Sequence, residues 1–103
     1  MILELVDILI HPGKQAEFDK AIEQGIKEHL VNAKGFVGYQ INKCIESPER
    51  YVLMNYWTTL ENHTIDFRGS PMFLHWRGVV GPFFARPPVV EHFTILDTKL
   101  PQN

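Results

Sequence analysis

The 103 residues suit one small domain, and an apolar fraction of 45% is enough for a packed core. The formal net charge of −2, with lysines and arginines scattered along the chain, excludes the basic footprint of a protein that binds nucleic acid or an anionic membrane. No apolar run approaches the ~20 residues of a membrane-spanning helix, and no basic segment precedes the first apolar stretch. A single cysteine, Cys44, excludes an internal disulfide and favours a cytoplasmic location.

The first half of the chain alternates between strand and helix patterns. Residues 2–10 are apolar and rich in β-forming side chains, and the turn residues His11-Pro12-Gly13 end this first predicted strand. Residues 13–32 place apolar side chains at every fourth position, which predicts an amphipathic helix. Residues 36–45 and 51–57 then predict two strands joined by a connection of hairpin length.

The second half repeats the helix and strand patterns once. Residues 59–68 predict a short helix directly after the third strand, and a second helical piece begins with Ser70 as its N-cap and Pro71 at its first position. A proline-rich loop precedes the last predicted strand, residues 89–96. The order βαββαβ predicts an α+β, ferredoxin-like domain over residues 1–103, with a four-stranded antiparallel sheet and helices on one face.

Apolar side chains occupy both faces of the predicted strands. On the first strand, one side carries Leu3, Leu5 and Leu9, and the other carries Ile2, Val6, Ile8 and Ile10. The helices can cover only one face of such a sheet, and an apolar sheet face in water needs a partner. A second copy of the chain is the simplest partner, because homodimers are the commonest oligomers. We therefore expect a homodimer whose sheets pack face to face.

The end of the third strand and the helix that follows it carry the residues most suggestive of chemistry. Asn55 and Trp57 share one face of the strand, and His63 and Phe67 are four residues apart on the helix. An amide, an indole and an imidazole are therefore predicted to converge in an apolar setting. A buried amide needs a hydrogen-bonding partner, so Asn55 favours a lined cavity at this place.

The same stretch carries a resemblance to a known family. The strand ending Asn55-Tyr56-Trp57 is followed by His63-Thr-x-x-Phe67-Arg68-x-Ser70-Pro71-x-Phe73, then by Trp76-Arg77 and by a loop rich in proline and phenylalanine. This pattern resembles the antibiotic biosynthesis monooxygenase-like domain of the dimeric α/β-barrel superfamily. Many members of this group place a histidine three residues before the Ser-Pro pair. Phe67 stands there in this chain, and His63 lies one helical turn earlier.

The resemblance implies a cofactor-independent monooxygenase that oxidises a quinol or polycyclic phenol with O2, and it implies no metal or flavin. In this reading His63 removes the phenol proton, Asn55 donates a hydrogen bond to the developing oxyanion, and Trp57 completes the catalytic group. Four further side chains are predicted to contact the aromatic substrate or to steer an acidic one: Phe67, Arg68, Phe73 and Trp76.

Each of these assignments has a structural alternative. His63 facing solvent, an Arg68 cation at the surface, and Trp57, Phe73 and Trp76 packed in the core would all give the same pattern. Two other functions stay open: a dimeric module that binds a small molecule without turnover or acts in a stress response, and a haem-degrading monooxygenase. Haem-degrading relatives carry an asparagine on the first strand, where this chain has Asp7. No pair of histidines has the spacing of a metal site.

Overall fold

The computed structural model describes residues 1–99 and confirms the predicted ferredoxin-like fold. Both helices lie on one face of a four-stranded antiparallel sheet. The elements in chain order are β1 (Ile2–Leu9), α1 (Gln15–Glu28), a 3-10 turn (Leu30–Asn32), β2 (Phe36–Lys43), β3 (Arg50–Trp57), a π-helix (Asn62–Phe67), α2 (Pro71–Val80), a 3-10 turn (Gly81–Phe83) and β4 (Val89–Thr94). None of the helices within residues 1–99 combines the length and apolar character that crossing a membrane requires.

The strand order β2-β3-β1-β4 places β1 in the centre of the sheet. Its register determines which side chains meet: Glu4 on β1 lies opposite Asn55 on β3 and opposite His92 on β4. Because residues opposite each other in an antiparallel pair project to the same face, these three polar side chains form one row across the sheet. That row faces the helices.

The helix-covered face holds the core. Alternate residues of β1 and β3 are buried, and α1 contributes Phe18, Ile22 and Ile26 at i, i+4 spacing. A glycine on the same helix, Gly25, is buried where a Cβ would come within 3.0 Å of the ring of Trp76. The two helices therefore approach each other closely at this one point.

The predicted boundaries of several elements extend too far. The helix predicted over residues 13–32 ends at Glu28, because His29 leaves helical geometry with φ −123 and ψ −60 and the chain tightens into a 3-10 turn. The strand predicted over 89–96 ends at Thr94, which pairs with Ile2, the first residue of β1. Ser70 adopts extended geometry before α2 but its hydroxyl bonds to the carbonyl of Phe67 and caps no amide of α2.

Within residues 1–99, no helix covers the opposite face of the sheet. Its centre is apolar and includes Leu3, Leu5, Met54, Tyr56 and Phe93, with Phe93 43% exposed. Polar groups lie toward its margins, among them the ion pair between Asp7 and Arg50 at 2.9 Å. The apolar centre expected from the sequence is therefore present.

Candidate functional site

A cavity of about 780 Å³ lies between the helix-covered face of the sheet and α2 with the loop that follows it. Its volume falls within the range of small-molecule sites, roughly 300–1,000 Å³. Rings of Phe67, Phe73, Trp76 and Phe84 contribute to its walls, and the proline-rich loop closes one side. Glu4 and Asn55 are the polar groups that the sheet presents to this cavity.

Glu4 is a carboxylate inside the protein, with only 5% of its surface exposed. Its Oε1 accepts hydrogen bonds from Trp57 Nε1 at 2.9 Å and from Asn55 Nδ2 at 3.3 Å, and its Oε2 lies 3.3 Å from His63 Nε2. Burial raises the pKa of Glu4, while the bonds from Trp57 and Asn55 and the charge of Arg68 act in the opposite direction. The balance is a carboxyl group that ionises at a higher pH than an exposed glutamate.

His63 is engaged at both ring nitrogens. Its Nε2 faces Glu4, and its Nδ1 lies 2.7 Å from Nε2 of His92. Burial lowers the pKa of His63 to about 3, with further contributions from Arg68 and His92, so the ring is neutral at physiological pH. Burial and Arg68 also lower the pKa of His92.

The π-helix that carries His63 has a defined start. Thr59 N donates to Asn62 Oδ1 at 3.1 Å, and Asn62 N donates to Thr59 Oγ1 at 3.2 Å, a reciprocal pair of the kind that opens helices. Gly35, at φ 78, allows this close packing, because a Cβ there would overlap the Asn62 side chain. The wide turn then stacks the rings of His63 and Phe67, with centroids 6.1 Å apart. Single π-helical turns are frequent at functional sites.

Asn55 has one amide atom without a partner. Its Nδ2 donates to Glu4, whereas its buried Oδ1 accepts no hydrogen bond from residues 1–99. Asn55 is also one of the cavity-lining residues, so this unused acceptor lies beside the cavity, although the atom itself is buried. The amide nitrogen, predicted from the sequence to donate to an oxyanion, uses one of its two N–H groups to bind Glu4.

The structure brings the predicted residues together, six of them at the cavity wall and one behind it. Phe67, Arg68, Phe73 and Trp76 line the cavity, as do His63 and Asn55. Trp57 is fully buried and reaches the site through its indole N–H, which holds Glu4.

Glu4 and His92 were not predicted from the sequence. A signal for Glu4 was present, because it is the one charged side chain in an alternating row of buried apolar residues on β1. His92 offered no such signal, since its meeting with His63 joins residues 29 positions apart.

Three arginines also border the cavity: Arg68, Arg77 and Arg86. Each is exposed, and none forms an ion pair with any residue between 1 and 99. Across that same part of the chain, no three histidine, cysteine or acidic side chains are arranged to hold a metal ion. The charged groups at the cavity are therefore one buried carboxyl group and three exposed guanidinium groups.

Comparisons with known proteins identify the family. The family described as "Antibiotic biosynthesis monooxygenase" matches residues 1–79. The uncharacterized protein YczJ of Bacillus subtilis (strain 168) is 34% identical over 93 residues, covering 90% of this chain and 97% of YczJ. A crystal structure from Bordetella bronchiseptica, assigned to the antibiotic biosynthesis monooxygenases, is 39% identical with a TM-score of 0.86 and covers 92% of this chain and 96% of its own.

A more distant structure shares the fold. SnoaB, described as a cofactor-independent oxygenase from Streptomyces nogalater, is 20% identical with a TM-score of 0.79, covering 98% of this chain and 97% of SnoaB. The extent of the family match and the two closer relatives agree with the sheet topology and with the resemblance noted in the sequence. The chain belongs to the antibiotic biosynthesis monooxygenase family.

Proposed function

We propose that this protein is a cofactor-independent monooxygenase that oxidises a polycyclic phenol or hydroquinone with O2. The observation that carries the proposal is the buried carboxyl group of Glu4 at the inner wall of an aromatic-lined cavity of about 780 Å³. Membership of a family that includes an oxygenase without a cofactor supports it. Such a reaction needs a base, an enclosed apolar space and a planar substrate, and the site offers groups suited to each.

The reaction balances without a further reductant. The phenol hydroxyl loses its proton to a base, and the phenolate transfers an electron to O2. The resulting radical pair joins at a ring carbon to form a peroxide, whose O–O bond then breaks. One oxygen atom remains on the ring as the new carbonyl of a quinone. The other leaves as water with the ring hydrogen and the proton that the base returns.

Glu4 is the base that fits this sequence best. It borders the cavity, and its raised pKa is closer than that of an exposed glutamate to the pKa of a phenol, which is about 10. His63 has no free ring nitrogen to receive a proton from a substrate, because Glu4 and His92 occupy both. His63 and Trp57 then act by holding Glu4 in place.

The three cavity arginines favour a substrate with an acidic substituent. Guanidinium groups without partners attract a carboxylate and can bind it through two parallel hydrogen bonds. The rings of Phe67, Phe73 and Trp76 would contact the aromatic part of the same molecule. An acidic naphthol is therefore a better probe than a neutral one.

Oxygen uptake tests the function directly. Purified protein is mixed with 1,4-dihydroxy-2-naphthoate or with 1,4-dihydroxynaphthalene, and O2 consumption is followed against the spontaneous rate. We expect uptake above the spontaneous rate, faster with the acid, and a loss of about 10²-fold or more in Glu4→Gln. Asp7→Asn, a carboxylate on the other face of the same strand, is the matched control and should retain the rate.

Two results would count against this function. Uptake no faster than the spontaneous rate with either compound would remove the oxygenase. Saturable quenching of tryptophan fluorescence by the same compounds, without O2 uptake or product, would instead identify a binding module.

We also propose that two copies of the chain pair through the helix-free face of the sheet. The apolar centre of that face, with the polar groups at its margins, supports this arrangement. Sedimentation velocity at micromolar concentration should show a dimer. Leu5→Glu should yield a monomer, whereas Asn42→Glu, near the margin on edge strand β2, should remain dimeric. A monomeric wild-type protein would contradict the proposal.

A further inference from the structure

A chain of polar contacts runs from the cavity to an edge of the sheet through three elements. Glu4 on β1 contacts His63 on the π-helix, and His63 contacts His92 on the edge strand β4. His92 lies opposite Glu4 in the sheet register, yet its Nε2 bonds to His63 at 2.7 Å. The two histidines are both neutral at physiological pH, since the pKa of each is lowered.

Neutral imidazoles allow only two hydrogen arrangements along this chain, because each ring has one N–H and one acceptor nitrogen. In the first, His92 Nε2–H donates to His63 Nδ1, so His63 carries its hydrogen on Nε2 and points it at Glu4, which favours the carboxylate. In the second, His63 Nδ1–H donates to His92, and the bare Nε2 of His63 faces Glu4, which favours the carboxylic acid. The tautomer of His63 and the proton on Glu4 are therefore linked.

We propose that His92 is a positioning residue: by donating to His63 Nδ1 it fixes the tautomer in which His63 donates to Glu4, and it thereby keeps Glu4 in the carboxylate form that acts as a base. The inference rests on the proposed function for its catalytic meaning. The link between His92 and Glu4 is a property of the protein alone.

The other groups around Glu4 favour the carboxylate in either arrangement. Trp57 Nε1–H has no acceptor role and Asn55 donates through Nδ2, both from β3. Arg68, after the π-helix, is the cation that acts on Glu4, His63 and His92 together, and Arg77 on α2 and Arg86 in the following loop border the same cavity. Only the contribution of His63 depends on a tautomer, and His92 is the group that determines it.

The experiment compares the wild type with His92→Ala and His92→Gln. Nitrogen-15 NMR of the imidazoles should show His63 with its hydrogen on Nε2 in the wild type and on Nδ1 in His92→Ala. Infrared difference spectra over a pH titration should show the carboxylic acid of Glu4 persisting to higher pH in His92→Ala, by about one pH unit, as expected for the loss of one hydrogen bond to a charged group. The band is assigned by its absence in Glu4→Gln.

Activity supplies a second readout. The acid limb of the pH–rate profile should move upward by the same interval in His92→Ala, with about a tenfold lower rate on that limb and full recovery at higher pH. His92→Gln, whose amide N–H can reach the same nitrogen, should restore the wild-type profile. Thr94→Ala, on the same face of β4 but paired with Ile2 and not with Glu4, is the control and should change neither readout.

The two proposals fail separately. If His63 keeps its hydrogen on Nε2 in His92→Ala, or if the Glu4 titration does not move, the positioning role is wrong whatever the activity. If the spectra change as expected but no oxygen uptake occurs with any variant, the proposed function is wrong and the link stands. A rate lowered equally at every pH would indicate a merely structural role and overturn the inference. If His92→Ala does not fold, a wild-type spectrum with the His63 hydrogen on Nδ1 overturns it equally.

Discussion

The two ends of the helix-covered sheet face differ sharply, although the same two central strands build both. At one end Tyr51 of β3 packs against Phe18 of α1, and Leu53 belongs to the same core, with all three at or below 1% exposure. At the other end β1 and β3 present Glu4 and Asn55, and the space above them is a cavity. The packed end contributes most of the core, while the hollow end contains the proposed site.

The difference arises from the two helices. α1 has 14 residues and places an apolar side chain on the sheet at every turn. α2 has 10 residues, of which only Val80 is buried, and the π-helix before it directs His63 and Phe67 toward the sheet. Trp76 rests against Gly25 of α1 and at the same time borders the cavity. A second helix that touches the first but stands off the sheet leaves a space that side chains do not fill.

The largest expected effect is a difference in the stability that is lost when a ring is removed at each end of the helix-covered face. Phe18→Ala removes a fully buried ring that contacts Tyr51 and Phe83, and should lower the free energy of unfolding by about 3–5 kcal/mol. Phe73→Ala truncates a half-buried ring at the cavity wall, where less packing is lost, and should cost about 2 kcal/mol or less. Urea unfolding of both variants measures the contrast. Equal losses would show that the hollow end is packed as firmly as the other.

The next effect concerns the carboxyl group that the hollow end buries. The pKa of Glu4 is raised in the folded protein, so the folded state keeps its proton longer than the unfolded state, where the pKa is near 4.5. Stability from Glu4 is therefore present below that pH and is lost as pH rises through the folded pKa. The loss is about 1.4 kcal/mol for each pH unit that separates the folded and unfolded pKa values of Glu4. Glu4→Gln should be more stable than the wild type at neutral pH while losing activity.

Thermal unfolding of Glu4→Gln and the wild type across pH 4 to 8 measures this difference, in steps of about half a pH unit. The stability gap should widen with rising pH and then level off above the folded pKa of Glu4. A constant gap would show that the Glu4 carboxyl group has the same pKa in the folded and unfolded states. The two ends of the sheet face would then differ in packing and not in electrostatics.

The smallest expected effect concerns the contact between Gly25 of α1 and Trp76 of α2. Gly25→Ala adds a methyl group 3.0 Å from the Trp76 ring, while alanine favours the helix by about 1 kcal/mol over glycine. Because Trp76 borders open space, its ring can yield into the cavity, so we expect a change in stability below about 1 kcal/mol. Binding of a naphthol, followed by tryptophan fluorescence, should weaken more than stability. Unchanged binding would show that Trp76 does not set the shape of the cavity.

Much of this protein could be read from its sequence because it follows from local patterns. The alternation in β1 and β3, the four-residue spacing in α1 and the Ser70-Pro71 start of α2 predicted the ferredoxin-like order of elements. Periodicity also predicted that four side chains would lie close together. Asn55 and Trp57 share one face of a strand, and His63 and Phe67 share one face of the helix that follows it.

Only the tertiary structure determined which hydrogen bonds and contacts those groups make. Glu4, Asn55 and His92 meet because β1 lies between β3 and β4, a pairing of strands far apart in the chain that no local pattern specifies. The engagement of both His63 nitrogens, and the raised pKa of Glu4, depend on burial and on contacts across 59 and 29 positions of the sequence. Contacts between distant residues and the burial of charged groups exist only in the folded chain. The amino-acid sequence therefore determined which elements form, and the fold determined which side chains face the cavity.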